Sequence, residues 1–69
     1  MANQIINGVN NLSADLAGKN VAEVRGMLAQ ALNIDQAAKP LVNGADADAS
    51  YVLQSGDELE FVKPSGTKG

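Results

Sequence analysis

The sequence predicts a single small α+β domain in which one helix packs on a mixed sheet of four or five strands. Three patterns support this prediction: a hairpin-like segment comes first, an amphipathic helix follows, and a strictly alternating strand comes last. Each pattern is apolar on one side only, so helix and sheet can bury each other's apolar faces. We assign residues 1–62 to this domain and residues 63–69 to a flexible C-terminal tail.

The first segment, residues 3–16, has the pattern of a β-hairpin. Ile5 and Ile6 form a β-branched run, and Asn7-Gly8 after them is typical of a tight turn. The second run alternates with polar residues, and its apolar members are Leu12, Ala14 and Leu16. We expect the two runs to pair, but the pattern leaves the register open.

A helix is predicted to follow Asn20, which is suited to the N-cap and has Glu23 three residues later, as in a capping box. An apolar stripe at helical spacing covers about twelve residues. Its members are Val21, Val24, Met27, Leu28, Ala31 and Leu32. Gly26 either allows close packing on the sheet or is tolerated on the solvent side. Asn33 is a candidate left-handed C-cap.

Two turn signals divide the second half of the chain. Leu41-Val42 predicts a short third strand that ends in an Asn43-Gly44 turn. Residues 46–50 predict an irregular crossing segment with a marginal fourth strand. The Ser55-Gly56-Asp57 turn then begins the final strand, since glycine accepts positive φ and the aspartate can accept local amide bonds.

The final strand, residues 58–62, alternates strictly. Leu59 and Phe61 are expected to face the helix, whereas Glu58 and Glu60 face the other way. A strand this rich in apolar residues needs neighbours on both sides. We therefore expect it to lie centrally in the sheet, beside the first strand.

Composition excludes several classes of function. The formal net charge is −3 and the pI is about 4.5, so phosphate backbones and anionic membranes would be repelled. The chain has neither cysteine nor histidine, which removes the commonest zinc ligands. No apolar run approaches the roughly 20 residues of a membrane span, and we expect no export signal at the N-terminus, which lacks a basic region followed by an apolar stretch. We expect a monomeric cytoplasmic protein without a cofactor, and no binding to nucleic acid or membrane.

The Val42-Asn43-Gly44 turn and the later segment 51–61 resemble a known family, the ubiquitin-like β-grasp proteins. The most similar branch contains the sulfur carriers ThiS and MoaD and the related TGS domains. The resemblance is closest over residues 41–62 and extends to the first forty residues only as an order of elements. It implies a β-grasp fold, one helix on a mixed four- or five-stranded sheet.

The resemblance also implies a candidate carrier residue. Sulfur carriers and modifiers end in a Gly-Gly carboxylate that an E1-like enzyme adenylates. Gly69 matches the last residue of that motif, and Pro64 falls where molybdopterin carriers tend to have proline. Lys68 departs from the motif, because its long side chain should obstruct a channel shaped for bare backbone. A divergent carrier or modifier activated at Gly69 is therefore the alternative function.

The first interpretation is a non-catalytic protein-interaction module. In ubiquitin-like proteins the sheet face opposite the helix commonly carries an apolar patch, and Val62 should lie there with the two glutamates of the last strand. Such a face favours a basic partner groove and salt-sensitive association. The predicted partner-binding residues are Glu58, Glu60, Val62, Pro64, Gly66 and Lys68.

An enzyme is not expected, because the sequence contains no convincing catalytic constellation and its main candidates for such chemistry are carboxylates. Asp46 and Asp48 are spaced so that they could hold Ca²⁺ or Mg²⁺ weakly, since hard cations prefer oxygen ligands. A solvated acidic loop is the simpler interpretation of the same residues. We interpret Asp57 as a structural residue of the turn before the final strand.

Overall fold

The structure is a computed structural model, and it describes residues 2–35 and 37–63. Within these ranges one helix packs on a mixed five-stranded sheet. The elements in chain order are β1 (Asn3–Asn7), β2 (Asn10–Ala14), α1 (Val21–Leu28), β3 (Lys39–Val42), β4 (Ala45–Asp46) and β5 (Glu58–Val62). None of the helical residues described belongs to a segment long and apolar enough to cross a bilayer.

The strand order is β2-β1-β5-β3-β4, so β5 occupies the centre of the sheet as predicted. It runs parallel to β1, with Ile5 opposite Leu59, and antiparallel to β3, with Val42 opposite the same leucine. The parallel pair needs a long crossover, and α1 lies within it. This arrangement is compatible with a β-grasp.

Both hairpins turn on residues with positive φ. Gly8 (φ 64°) leads the two-residue turn between β1 and β2, which is the pattern of a type II′ turn. Asn43 (φ 53°) and Gly44 (φ 86°) form the turn between β3 and β4, as in type I′. This second turn places Ala45 directly opposite Val42. The marginal fourth strand predicted within residues 46–50 is therefore present, but it starts one residue earlier and ends at Asp46, as Ala45–Asp46.

The N-terminus of α1 has the predicted capping box. The backbone amide of Glu23 donates to Asn20 Oδ1 (2.8 Å), and the Asn20 amide donates to Glu23 Oε1 (3.0 Å). Two of the four amides that lack a partner within the helix are thereby satisfied. The Val21 and Ala22 amides donate to the carbonyls of Tyr51 (2.9 Å) and Ala49 (3.0 Å), so the capping box and the segment before β5 together satisfy this end of the helix.

The C-terminal end of the helix differs from the prediction. Regular α-helix covers Val21–Leu28 rather than about twelve residues, and turns follow. Asn33 is left-handed as predicted (φ 53°). The Ile34 amide donates to the Ala29 carbonyl (2.9 Å) and the Asn33 amide to the Gln30 carbonyl (3.3 Å), which is the bonding of a Schellman motif.

The apolar stripe of the helix is narrower than predicted. Four of its members pack into the core, namely Val21, Val24, Leu28 and Leu32. Met27 is 54% exposed and Ala31 is exposed, so the prediction was wrong for both. Met27 lies about 100° around the helix from Leu28, because each residue advances about 100°. Gly26 is exposed, and a Cβ there would meet nothing within 4 Å, so it lies on the solvent side.

The core lies between α1 and one face of the sheet. Leu59 is fully buried and Phe61 is 2% exposed, both beneath the helix as predicted. The Arg25 guanidinium lies 5.4 Å from the centroid of the Phe61 ring. It also donates to the carbonyls of Asp35 (2.9 Å) and Ala38 (2.8 Å), so this side chain fastens the connector after α1 to the core.

Asn3, at the start of β1, is a fully buried polar residue. Its Nδ2 donates to the carbonyls of Gln54 (2.9 Å) and Asp57 (3.0 Å), and its Oδ1 accepts from the amide of Leu16 (2.9 Å). Every polar atom of this side chain therefore has a partner. A buried amide that is fully bonded in this way fixes the relative positions of β1, the end of the hairpin and the turn before β5.

Candidate functional site

The face of the sheet opposite α1, called here the open face, is the candidate functional site. Alternation along each strand decides which residues lie on it, because their neighbours in the chain point into the core. The open-face positions are Gln4, Ile6, Asn11, Ser13, Lys39, Leu41, Asp46, Glu58, Glu60 and Val62. A hydrogen bond from Gln4 Nε2 to Asn11 Oδ1 (3.3 Å) joins two of them across the first hairpin.

Five open-face residues form one line across all five strands, called here the central row. The register places Ile6 opposite Glu60, Glu60 opposite Leu41 and Leu41 opposite Asp46, with Asn11 at the far end. Neighbouring strands are about 4.8 Å apart, so these side chains follow one another at that spacing. From Ile6 to Asp46 along the central row, an aliphatic side chain alternates with a carboxylate.

Burial and charge distinguish the centre of this face. Glu60, Ile6 and Leu41 are half-buried, whereas Asp46 is exposed. The ion pair seen between residues of the described ranges lies elsewhere, between Lys63 Nζ and Asp35 (3.8 Å). The open-face positions include three acidic residues, Asp46, Glu58 and Glu60, and one basic residue, Lys39. The centre of the face is therefore apolar and acidic at once.

The predicted partner-binding residues of β5 lie together on this face. Glu58 and Glu60 are on the side away from the helix, and Val62 is 37% exposed beside them. The other predicted site residues fall outside the described ranges; these are Pro64, Gly66, Lys68 and Gly69.

Sequence reasoning missed Ile6 and Leu41, which complete the apolar part of the open face. Ile6 follows Ile5 directly, and adjacent residues of a strand point to opposite faces, so one of the two had to face away from the core. Two consecutive isoleucines in a strand were the available signal. For Leu41 the signal was the same: Leu41 and Val42 are adjacent apolar residues of one short strand, so they point to opposite faces.

A second polar cluster supports the sheet at the turn before β5. Asp57 Oδ2 accepts from the Tyr51 hydroxyl (2.7 Å) and from the Gln54 amide (2.9 Å), and Asp57 Oδ1 accepts from Asn43 Nδ2 (2.9 Å). The Gln54 amide, then Tyr51 and Asn43, hold the pKa of Asp57 below its ordinary value. The Asp57 bond raises the pKa of Tyr51. These bonds give Asp57 the structural role that its turn position predicted.

The acidic loop after β4 forms one wall of an open hollow of about 410 Å³. Its lining residues are Val42, Asn43, Ala45, Asp46, Ala47, Asp48, Ser50 and Tyr51. Asp46 and Asp48 are both exposed. Over the described ranges no group of three or more acidic, histidine or cysteine residues is arranged to hold a metal ion. The lining of the hollow therefore contains only two carboxylates, Asp46 and Asp48. Their exposure agrees with the interpretation of this segment as a solvated acidic loop.

In comparisons with known proteins, no family model, curated protein or solved structure matches this sequence or its fold.

Proposed function

We propose that this chain is a small ubiquitin-like module of the β-grasp type that binds a partner protein, without catalysis, through its open face. The observation that carries the proposal is the composition of that face: Ile6, Leu41 and Val62 surround Glu60 at the centre of the sheet. The tail, residues 63–69, directly follows the strand that carries Glu60, so we include it as a second contact.

The chemistry of this surface fits a protein rather than a small molecule. Aliphatic side chains at the centre can be buried against a partner, and polar groups at the edge, such as Gln4 and Lys39, remain hydrated. The carboxylates favour basic partners and would increase the rate of association at low salt. A small ligand normally occupies a concave site, whereas Ile6, Glu60 and Leu41 lie side by side on adjacent strands.

Affinity capture followed by measurement with the purified partner tests this proposal. The wild-type chain and the variants Val62→Asp and Glu60→Lys are immobilised, and the partner retained by the wild type is purified and titrated by calorimetry. We expect both open-face variants to weaken its binding by at least about tenfold, which corresponds to about 1.4 kcal/mol.

Two matched control variants lie outside the open face. Met27→Asp introduces the same charge at an exposed apolar residue of α1, and Asp15→Lys reverses the charge of an exposed acid beyond β2. Both should bind the partner as the wild type does. A partner that is indifferent to Val62→Asp and Glu60→Lys, or that is lost equally with the controls, would show that the open face is not the binding surface.

A further inference from the structure

We infer that the segment bound at the open face is a helix that crosses the strands and presents an apolar residue and an arginine or lysine on successive turns. This inference rests on the proposed function, since it specifies what binds at the same surface. It is carried by the central row, in which Ile6, Glu60, Leu41 and Asp46 follow one another across four strands.

The spacing of the central row favours a helix over an extended segment. Strand separation sets successive positions about 4.8 Å apart. A helix repeats one face about every 5.4 Å, whereas same-face residues of an extended segment are about 6.7 Å apart. Across the three intervals from Ile6 to Asp46, the mismatch is about 2 Å for a helix and about 6 Å for an extended segment. Only the helix keeps each of its residues over the intended strand.

The alternation of the central row determines the sequence of the partner helix. Ile6 and Leu41 lose contact with water when they are covered, so apolar residues are favoured opposite them. Glu60 lies between these two aliphatic side chains and is already half-buried. A partner that covered it without a cation would leave a buried carboxylate unpaired, which is strongly unfavourable. An arginine or lysine one turn along the helix pairs with it instead.

The outer end of the row extends the same pattern. Asp46 is exposed on β4, opposite Leu41, and is separated from Glu60 by one strand. A second basic residue two turns after the first therefore meets a second carboxylate. At the other end Asn11 is uncharged and bonded to Gln4, so no cation is required there. The charge of the row is thus concentrated toward β4.

Designed peptides test this inference directly. The first probe is a peptide of about 18 residues, long enough to form helix, with leucine and arginine alternating by turn along one face. A second peptide has glutamate in place of each arginine, and a third has the sequence of the first with a central proline that breaks the helix. Binding to the ¹⁵N-labelled chain is followed by amide chemical shifts.

We expect the arginine peptide to shift the amides of Ile6, Leu41 and Glu60, and its dissociation constant to rise with salt. Glu60→Gln should weaken its binding by about three- to tenfold, and Glu60→Arg should transfer binding to the glutamate peptide. The proline peptide should bind at least about tenfold more weakly than the first.

Three results would overturn the inference: no shifts at the open face with the arginine peptide, equal binding of the glutamate peptide, or equal binding of the proline peptide. These results leave the proposed function intact if the captured partner still depends on Val62 and Glu60. The proposed function itself fails only if that partner ignores the open-face variants. The two experiments therefore separate the two failures.

Discussion

The Asn43 side-chain amide donates to Asp57 Oδ1 over 2.9 Å and so joins the turn between β3 and β4 to the turn that begins β5. The same asparagine accepts from the Glu58 amide (3.0 Å) through its Oδ1. Tyr51 completes the connection by donating to the other oxygen of Asp57. The two turns are therefore one hydrogen-bonded unit.

The stability of the protein should fall in acid because of Asp57. Its hydrogen bonds lower its pKa in the folded state below 3.8, so its contribution is full above that value and is lost as the pH falls through the folded pKa. Urea unfolding at a series of pH values measures this loss. Asp57→Asn should remove part of the acid dependence, whereas Asp15→Asn, an exposed aspartate, should keep it. Equal profiles for all three proteins would contradict the role of Asp57.

At high pH the partner of Asp57 should produce a second loss of stability. The pKa of Tyr51 is raised above 10.0 in the folded state, chiefly by its bond to Asp57. The unfolded chain therefore loses its proton first, and stability decreases as the pH rises above about 10. Tyr51→Phe should abolish this decrease in urea unfolding. A decrease of the same size in Tyr51→Phe would assign it to other groups.

Asn3→Ala should destabilise the fold strongly, because it leaves the Leu16 amide and the carbonyls of Gln54 and Asp57 without this partner. We expect the free energy of unfolding to fall by about 2–4 kcal/mol. Asn11→Ala is the control, since Asn11 is exposed, and it should change stability by no more than about 0.5 kcal/mol. Similar values for the two variants would rule out a structural role for the buried amide.

Gly26→Ala should stabilise the protein by about 0.5–1 kcal/mol, because alanine is the better helix former and its Cβ meets no atom within 4 Å. Gly8→Ala is the matched comparison, and we expect it to have the opposite effect on stability. Its Cβ also enters open space, but the φ of 64° is left-handed, so we expect a loss of about 1–2 kcal/mol. Thermal and urea unfolding measure both. Stabilisation by both variants would show that the first turn does not need glycine.

Arg25→Met should lower the free energy of unfolding by about 1–3 kcal/mol, since it keeps an apolar stem but loses the bonds to Asp35 and Ala38 and the contact with Phe61. Arg25→Lys retains the charge without the planar fork, so it should lose part of that amount. Amide hydrogen exchange should increase around Ala38 in both. If Arg25→Met were as stable as the wild type, the bonds from Arg25 to the connector after α1 would not contribute to stability.

Local patterns predicted the elements whose physics is local. The capping box was predicted correctly because it depends only on Asn20 and Glu23. The burial of Leu59 and Phe61 was predicted correctly because side chains alternate between the two faces along any strand.

The start of β4 was missed although it is determined locally, since a two-residue turn at Asn43-Gly44 places Ala45 opposite Val42. The end of α1 was missed because it depends on tertiary packing. Asn3 was missed for the same reason, since its three partners come from distant parts of the chain.

The open face was predicted in part for a similar reason. The period of two along β5 placed Glu58, Glu60 and Val62 together without any knowledge of the sheet. The contributions of Ile6 and Leu41 depend on which residues lie opposite Glu60. That register is set by two turns and by a parallel pairing between the first and last strands, and no single segment of sequence contains it.

The parallel pairing of β1 with β5 also constrains when the protein can fold during its synthesis. β5 supplies the central strand, yet it leaves the ribosome after every other described element. Until residues 58–62 emerge, Ile5 and the apolar side of α1 lack their main contacts and are accessible to chaperones and proteases. We therefore expect folding to complete only after β5 is available, because its residues Leu59 and Phe61 close the core.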